Sequence, residues 1–487
     1  MKQSRTLRAC ALLLVLLVGF ALRARHLSRS LGLDEHGTLW AVRGDAMADS
    51  VRRVEAVQGE SPLYYLIVRA TLAVTGESEA RLRLPSLLAG SLVPLLGYFA
   101  AARAFGRRAG AAALVLLAFE PALVFESENA RPYALAHAFT LLSALGLSRA
   151  LETGALRDRV LAWGGAVLAI YAHYVFAPLG PAIVIGALAS ERRVYASRRA
   201  LVDAAVSFVL LIPAWRDMAA LLARRNELAW VEVFSLAPIG SLLPPIVRYV
   251  VGVAVVVTVL RVSRPWKGRG LLVFAGMNGA LVAAALLVLY CIGSNILDQR
   301  YVAVGAATVP LASAWAIAGM PRAAGALALA LVAALGVRAH DTREVKDPLE
   351  WREVRVALDA EHPTPAEPVL FWSGYIEHHL LLKKGRVGPE VGAFLVAPIE
   401  DVPGFPETSR RFVPLTYLRG SPEAQLGYYE SSLFFEIADA HRFFIIAHPS
   451  YRGELDRWIQ TRFRGRFRLT HLSRVYTAPV VLAVYEG

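Results

Sequence analysis

The sequence predicts a multi-pass α-helical membrane protein of about 11 transmembrane helices, followed by a C-terminal α/β domain outside the membrane. Three observations lead there. Of 487 residues 56% are apolar and only 19% charged, and the mean hydropathy is +0.46, where a soluble chain of this length would fall clearly below zero. Apolar runs of roughly 16 to 22 residues recur, long enough to cross the hydrocarbon core as helices. Beyond residue 340 the pattern changes to short apolar runs separated by Pro-rich stretches, which is a strand pattern.

The N-terminal stretch "MKQSRTLRACALLLVLLVGFALRARH" has basic residues before an apolar core. It shows no clean A-x-A site, and Arg8 spoils "LRAC" as a lipobox, so an uncleaved signal anchor is expected. Spans are expected at 7–24, 85–103, 109–125, 132–150, 159–172, 174–190, 200–215, 241–261, 270–291, 301–318 and 321–338. The stretch 61–76 is short and carries Arg69 at its middle, which is costly in hydrocarbon. It is expected instead as an interfacial helix on the outer surface.

With 61–76 left out, the strongly basic short loops fall on one side. They carry Lys2, Arg5 and Arg8; Arg103, Arg107 and Arg108; Arg149, Arg157 and Arg159; Arg192, Arg193, Arg198 and Arg199; Arg261, Arg264, Lys267 and Arg269; and Arg322. The positive-inside rule makes that side cytoplasmic, N-terminus included. It also accounts for the net charge of +13 without nucleic acid. The long loop 25–84, with its interfacial helices, the loop 216–240 and the tail then lie on the outer side. The expected division is a membrane module over 1–339 and an extracytoplasmic domain over 340–487. In the tail, 368–372, 411–417, 441–448 and 477–486 read as strands, 451–463 as an amphipathic helix, and 361–368 and 397–410 as Pro-rich loops. Cys10 and Cys291 offer neither a disulfide framework nor ligand spacing.

The polar residues of interest sit at outer helix ends. Asp34 and Glu35 open "DEHGTLWAVRGDAMADSVRRV", whose Leu39, Trp40, Met47, Val51 and Val54 suit a helix lying on the membrane surface. One reading makes Asp34 an N-cap and Glu35 a first-turn acid favoured by the helix dipole. The other makes one of them a general base at the membrane boundary, the second orienting an acceptor or binding a metal. In "FESENARPYAL" Arg131 is either part of an ordinary polar loop or a phosphate ligand, its planar fork matching phosphate oxygens. Arg300, in "SNILDQRYVAVG" beside Asp298, either snorkels to headgroups or binds phosphate. His173 and Tyr174 interrupt an apolar run, as packed polar residues or as site residues. His378 and His379 are adjacent, face different ways and lack a third ligand in view.

Seven motifs in fixed order resemble glycosyltransferase family 39 of bacteria and its GT-C-fold relatives, the protein O-mannosyltransferases and the lipid A aminoarabinose transferases. They are "LDEHGTLW", "SPLYYLIVRA", "SEARLRLPSLLAGSLVPLLGY", "ESENARPYAL", "AHYVF", "DQRYVAV" and "DPLEWREV", within a likeness that runs from about residue 10 to 355. The resemblance implies a GT-C-like module in a bacterial inner or plasma membrane. It implies an inverting transfer of sugar from a polyprenyl-phosphate donor to a hydroxyl on a protein, lipid or envelope glycan at the outer face. Asp34 would be the base, with Glu35 beside it. Arg131 and Arg300 would stabilise the departing phosphate, with Glu128, Tyr133, His173, Tyr174 and Tyr301 in the donor site. No cofactor is certain, and a divalent metal stays open. The chain departs from the family pattern at Asn129, where a Glu is usual, and at Ser61, where the family has Pro. A transporter of lipid-linked sugars and a non-catalytic membrane scaffold are the competing classes. A transporter should carry charges or broken helices near mid-membrane.

Overall fold

The computed structural model describes residues 2–58, 60–190, 197–223, 268–291, 303–341, 351–375, 378, 381, 389–403, 405, 410–416, 422–474 and 480–487. The chain divides into two units. The first comprises Met1–Leu27, Gly59–Thr71 and Arg83–Arg343; the second comprises Ser28–Gln58, Leu72–Leu82 and Glu344–Gly487.

Small residues set how helices of the first unit meet. Tyr133–Thr153 and Leu156–Ala172 form a hairpin. A Cβ on Gly146 would lie 2.3 Å from the Ala162 nitrogen, and one on Gly165 2.7 Å from the Ser143 nitrogen. Such close backbone approach is the usual basis of helix association where burying apolar surface gains little. The Ser143 hydroxyl then donates across the interface to the Ala162 carbonyl at 2.7 Å. The core around this hairpin is dominated by Ala, with Leu141, Leu147, Trp163, Phe176 and Phe274 filling the wider gaps.

Among the described residues three helices are long and apolar enough to cross a membrane: Glu79–Phe105, Tyr133–Thr153 and Arg322–His340. A fourth span results if Arg107–Ala118 and Pro121–Ser127, bent by 59°, are counted together. Shorter apolar helices are Ala9–Ala24, Leu63–Thr75, Tyr174–Leu188, Arg269–Ala285 and Val304–Gly319. The helix expected over 61–76 is present as Leu63–Thr75.

Prolines account for two departures from the expected spans. The segment 109–125 is not one helix. Glu120 precedes Pro121 and takes an extended backbone, as a residue before proline prefers, and a new helix starts at Pro121. The segment 200–215 is likewise two helices, Ser197–Leu210 and Ile212–Ala223, with Pro213 in the first turn of the second. Helix therefore runs into the stretch from 216 that was expected as loop. The expected span 241–261 lies outside the described residues.

The break at Glu120 leaves carbonyls of the preceding helix without intrahelical donors. Arg23, fully buried, supplies two of them: its guanidinium donates to Ala118 O at 2.8 Å and Leu117 O at 3.0 Å, and within its own helix to Gly19 O at 2.9 Å. A cation in an apolar body is thus accounted for by backbone it satisfies.

The second unit contains a five-stranded sheet, β1 (Val369–Phe371), β2 (Phe412–Pro414), β3 (Arg442–Ala447), β4 (Arg468–Arg474) and β5 (Val481–Glu486), in the order β2-β1-β3-β5-β4. The first three strands run parallel; β5 is antiparallel to both β3 and β4. Phe443, Ile445 and Ala447 face a core completed by Leu455 and Ile459 of the helix Pro449–Arg462. Phe444 and Ile446 face another, built on Trp351, Val354 and Leu358 of Trp351–Ala360 and Val396 and Ile399 of Pro389–Glu400. Burial on both faces explains why the central strands read as unbroken apolar runs. The four strands and the helix expected in the tail are present. β4 was not expected: it is an edge strand of polar sequence with an irregularity between Leu469 and His471. Part of the expected loop 397–410 is the end of Pro389–Glu400, whose buried Ile399 holds it in helix despite Pro398.

Candidate functional site

In the first unit the turn after Pro121–Ser127 aims Arg131 at a small polar cluster. Its Nη2 donates to Glu60 Oε1 at 2.7 Å, and Nη1 lies 3.4 Å from the Tyr65 hydroxyl. Tyr65 in turn donates to Glu60 Oε2 at 2.7 Å. The backbone of Arg131 is held as well, since Ser86 Oγ donates to its carbonyl at 3.1 Å. That uses the only serine proton, so the Tyr64 hydroxyl, 2.7 Å away, must donate to Ser86. Tyr64 and Tyr65 are neighbours on one helix and so point to different partners. The arginine side chain is 11% exposed and that of Glu60 9%, which makes this a buried ion pair supported by hydroxyls.

His173 completes the cluster. Its Nδ1 accepts the Val175 N–H at 3.2 Å, which leaves the neutral ring's proton on Nε2, 3.5 Å from Glu60 Oε1. The ring lies 4.5 Å from that of Tyr133, tilted by 32°. Of the expected donor-site residues, Arg131, Tyr133 and His173 are therefore together. Tyr174 is buried and donates to Asp217 Oδ2 at 2.6 Å, a partner that the sequence did not suggest. Arg300 and Tyr301 lie outside the described residues. Glu60, Tyr65 and Ser86 were missed as site residues. The available signal was the Tyr pair in "SPLYYL", quoted above only as a motif.

Glu128 and Asn129 take other directions. Glu128 is buried, and its Oε1 faces His26 Nδ1 at 3.1 Å and His340 Nε2 at 3.5 Å. Asn129 donates through Nδ2 to the Phe125 carbonyl at 2.8 Å, closing the end of the helix. A carboxylate could not make that bond, so the departure at 129 has a local structural use.

In the second unit, Asp34 and Glu35 stand in the first turn of Leu33–Val42. Asp34 is not the N-cap; Gly32 is. Glu35, three residues on, accepts the Gly32 N–H at 2.9 Å, half of a capping box. Asp34 is partly buried and His36 buried. The expected surface helix is two helices, Leu33–Val42 and Met47–Arg53, and its apolar positions divide: Met47 is exposed and Val51 half-buried. Leu39, Trp40 and Val54 are buried. Trp40 meets Phe394 edge-on at 5.2 Å, and Arg53 lies over its other side at 4.9 Å. Tyr375 donates to Leu33 O at 2.7 Å, and Arg43 bridges Glu77 and Asp401. This places Asp34 on a helix fastened at both ends.

His378 is a core residue. Its Nε2 accepts the Ser373 N–H at 3.2 Å, and its Nδ1 donates to Leu415 O. Burial pushes its pKa down to about 3, against the smaller opposing pull of that carbonyl. His379 lies outside the described residues.

A helical unit together with a unit built on a mixed sheet resembles the fold of GT-C membrane enzymes. Residues 59–216 match the family model described as dolichyl-phosphate-mannose-protein mannosyltransferase. That stretch contains Glu60, Tyr65, Arg131, Tyr133, His173 and Tyr174. Among solved structures, ArnT from Cupriavidus metallidurans bound to undecaprenyl phosphate is similar with a TM-score of 0.58 at 13% identity, over 97% of this chain and 97% of that one. Its apo state gives 0.47 at 12%, over 99% and 98%. The Archaeoglobus fulgidus oligosaccharyltransferase tethered with an acceptor peptide gives 0.49 at 11%, over 90% of this chain and 69% of that one. No curated protein matches the sequence. The resemblance carried by the ordered motifs is thereby shown, and the fold is similar to that of ArnT.

Proposed function

We propose that the chain is an integral-membrane inverting glycosyltransferase that moves a sugar from a polyprenyl-phosphate donor to a hydroxyl-bearing protein, lipid or envelope glycan. The observation that carries this reading is the buried Arg131 cluster inside the stretch matched by the mannosyltransferase family model. In the proposed reaction Asp34 takes the acceptor's hydroxyl proton. The oxygen bonds to the anomeric carbon from the face opposite the phosphate, the anomeric carbon–phosphate oxygen bond breaks, and polyprenyl phosphate leaves. The leaving group is an anion of low basicity, so it requires positive charge rather than a general acid. Arg131 supplies that charge in a water-poor setting, where a preoriented cation is worth most. Its N–H fork also pairs with Glu60, so the donor phosphate exchanges one anionic partner for another. Arg300, Tyr301, Tyr133, His173 and Tyr174 keep their expected donor-site roles, with Glu35 as a structural neighbour of the base. The reading includes about 11 spans from the apolar runs, a cytoplasmic N-terminus and an extracytoplasmic C-terminal domain from the charge pattern, and a bacterial inner or plasma membrane from the family resemblance.

A transporter of lipid-linked sugars is the second reading, and the bent pair at Glu120 favours it, because broken helices mark transporter sites. Here the freed carbonyls are occupied by Arg23, which argues against a substrate site at the break.

The deciding experiment uses full-length protein in detergent with a radiolabelled polyprenyl-phosphate sugar and a panel of envelope acceptors. Release of polyprenyl phosphate only when acceptor is added, lost in Asp34→Asn, supports transfer. Binding without release under any acceptor supports transport.

A further inference from the structure

We propose that His26, Glu128 and His340 form a binding site for one divalent transition-metal ion of the zinc class, independent of the transfer reaction. All three belong to the first unit. One ligand atom from each lies within 4.8 Å of the others. Glu128 Oε1 is 3.1 Å from His26 Nδ1 and 3.5 Å from His340 Nε2, and the two imidazole rings are 5.0 Å apart. Metal–ligand bonds of about 2.0–2.1 Å in a tetrahedron require ligand–ligand edges of about 3.3–3.4 Å. The two edges from the carboxylate bracket that value, and the third, between the two imidazoles, lies within 4.8 Å, so side-chain rotation of the histidines toward each other completes the site.

The donor set selects the metal. Two imidazole nitrogens and one carboxylate suit zinc and its neighbours, whereas magnesium and calcium prefer oxygen. Three protein ligands leave a fourth position for water. Burial of Glu128 and His340, with His26 a third exposed, makes a site with one open side.

The backbone points the same way. His26 follows the end of Lys2–Ala24, Glu128 is the C-cap of Pro121–Ser127, and His340 is in the last turn of Arg322–Asp341. Three helix C-termini thus contribute their ligands to one spot, and the partial negative charge of those ends favours a cation. Arg23 is the opposing charge, near enough to act on Glu128. Its guanidinium is held on three carbonyls, pointing its hydrogen bonds elsewhere. A bound ion would clip the three helix ends together and fix the turn that presents Arg131.

The test is metal analysis of tag-free, full-length protein in detergent, stripped with chelator and re-equilibrated with zinc chloride. The expected result is one zinc per chain and a zinc-dependent rise in unfolding temperature. Both should weaken at least tenfold in His26→Ala and in His340→Ala and persist in His471→Ala, an exposed histidine of β4. Cobalt should substitute with the intense visible absorption of a four-coordinate site, and magnesium should not compete. His26→Ala, altering a partly exposed side chain, keeps the test valid if His340→Ala folds poorly. Absence of zinc from the wild type, which would leave the three side chains as a hydrogen-bonded imidazole–carboxylate set, overturns the proposal. Zinc retained by both histidine variants overturns it equally.

Discussion

The Arg131 guanidinium donates to the Glu60 carboxylate at 2.7 Å, with both side chains about nine-tenths buried. Residues 71 positions apart thereby form one charge unit, and removing the arginine takes that cation from the buried Glu60 carboxylate. Removing one partner of a buried pair costs about 3–5 kcal/mol. Arg131→Met should therefore lower the unfolding temperature of the detergent-solubilised protein sharply. Arg131→Met combined with Glu60→Gln should recover much of the loss, with a coupling of at least about 1 kcal/mol. Additive losses would show that the pair is not coupled.

Glu35 caps the helix that carries Asp34, so the two acids should separate by readout. Asp34→Asn is expected to lower transfer by about 100-fold or more while thermal unfolding stays within a degree or two. Glu35→Ala is expected to cost about 0.5–2 kcal/mol of stability through the lost cap. Parallel turnover and melting measurements on both variants check the split. Wild-type turnover in Asp34→Asn removes that residue as the base.

Gly336 allows the helix Arg322–Asp341 to approach the break at Phe119. A Cβ there would lie 2.3 Å from the Phe119 carbonyl oxygen, which is backbone and cannot rotate away. Gly336→Ala should destabilise by about 1–3 kcal/mol. Gly164→Ala, on an open helix face where a Cβ meets nothing within 4 Å, should be neutral or slightly stabilising. Thermal melts of the two variants provide the comparison.

The sheet of the second unit should weaken in acid because His378 resists protonation when folded. Its ordinary value is 6.5 and its folded value about 3. Above pH 6.5 the ring is neutral in both states and contributes no pH dependence. Between pH 6.5 and about 3 the unfolded state binds a proton that the folded state does not, and stability falls by about 1.4 kcal/mol per pH unit. Hydrogen exchange of Val369–Phe371 and Arg442–Ala447 in the full chain, corrected for intrinsic exchange, should show this slope. His378→Gln should flatten it.

Much of the architecture was legible because it follows local pattern. Apolar runs point to the helices of the first unit, and unbroken apolar runs point to β1, β3 and β5, which are buried on both faces; β2, at the other edge of the sheet, is legible from the apolar residues around its buried Val413. β4 escaped because an edge strand has one paired side and tolerates polar residues. The breaks at Glu120 and Leu211 were written in Pro121 and Pro213, but the length of the apolar runs outweighed them. Trp40 fits a membrane-surface pattern in the sequence yet is buried, because the pattern that suits a bilayer surface also suits a protein core.

The sequence by itself determined that this is a helical membrane protein with an α/β tail, and its ordered motifs determined the GT-C resemblance, because helix periodicity, hydropathy and motif order are properties of neighbouring residues. Only the tertiary structure decided that Arg131 pairs with Glu60, that Gly32 rather than Asp34 is the N-cap with Glu35 accepting its N–H, and that His26, Glu128 and His340 meet at three helix ends. Those relations join residues far apart in the chain, or depend on where a helix begins to within one residue. Folding fixes both through backbone hydrogen bonds and close packing that no local pattern records.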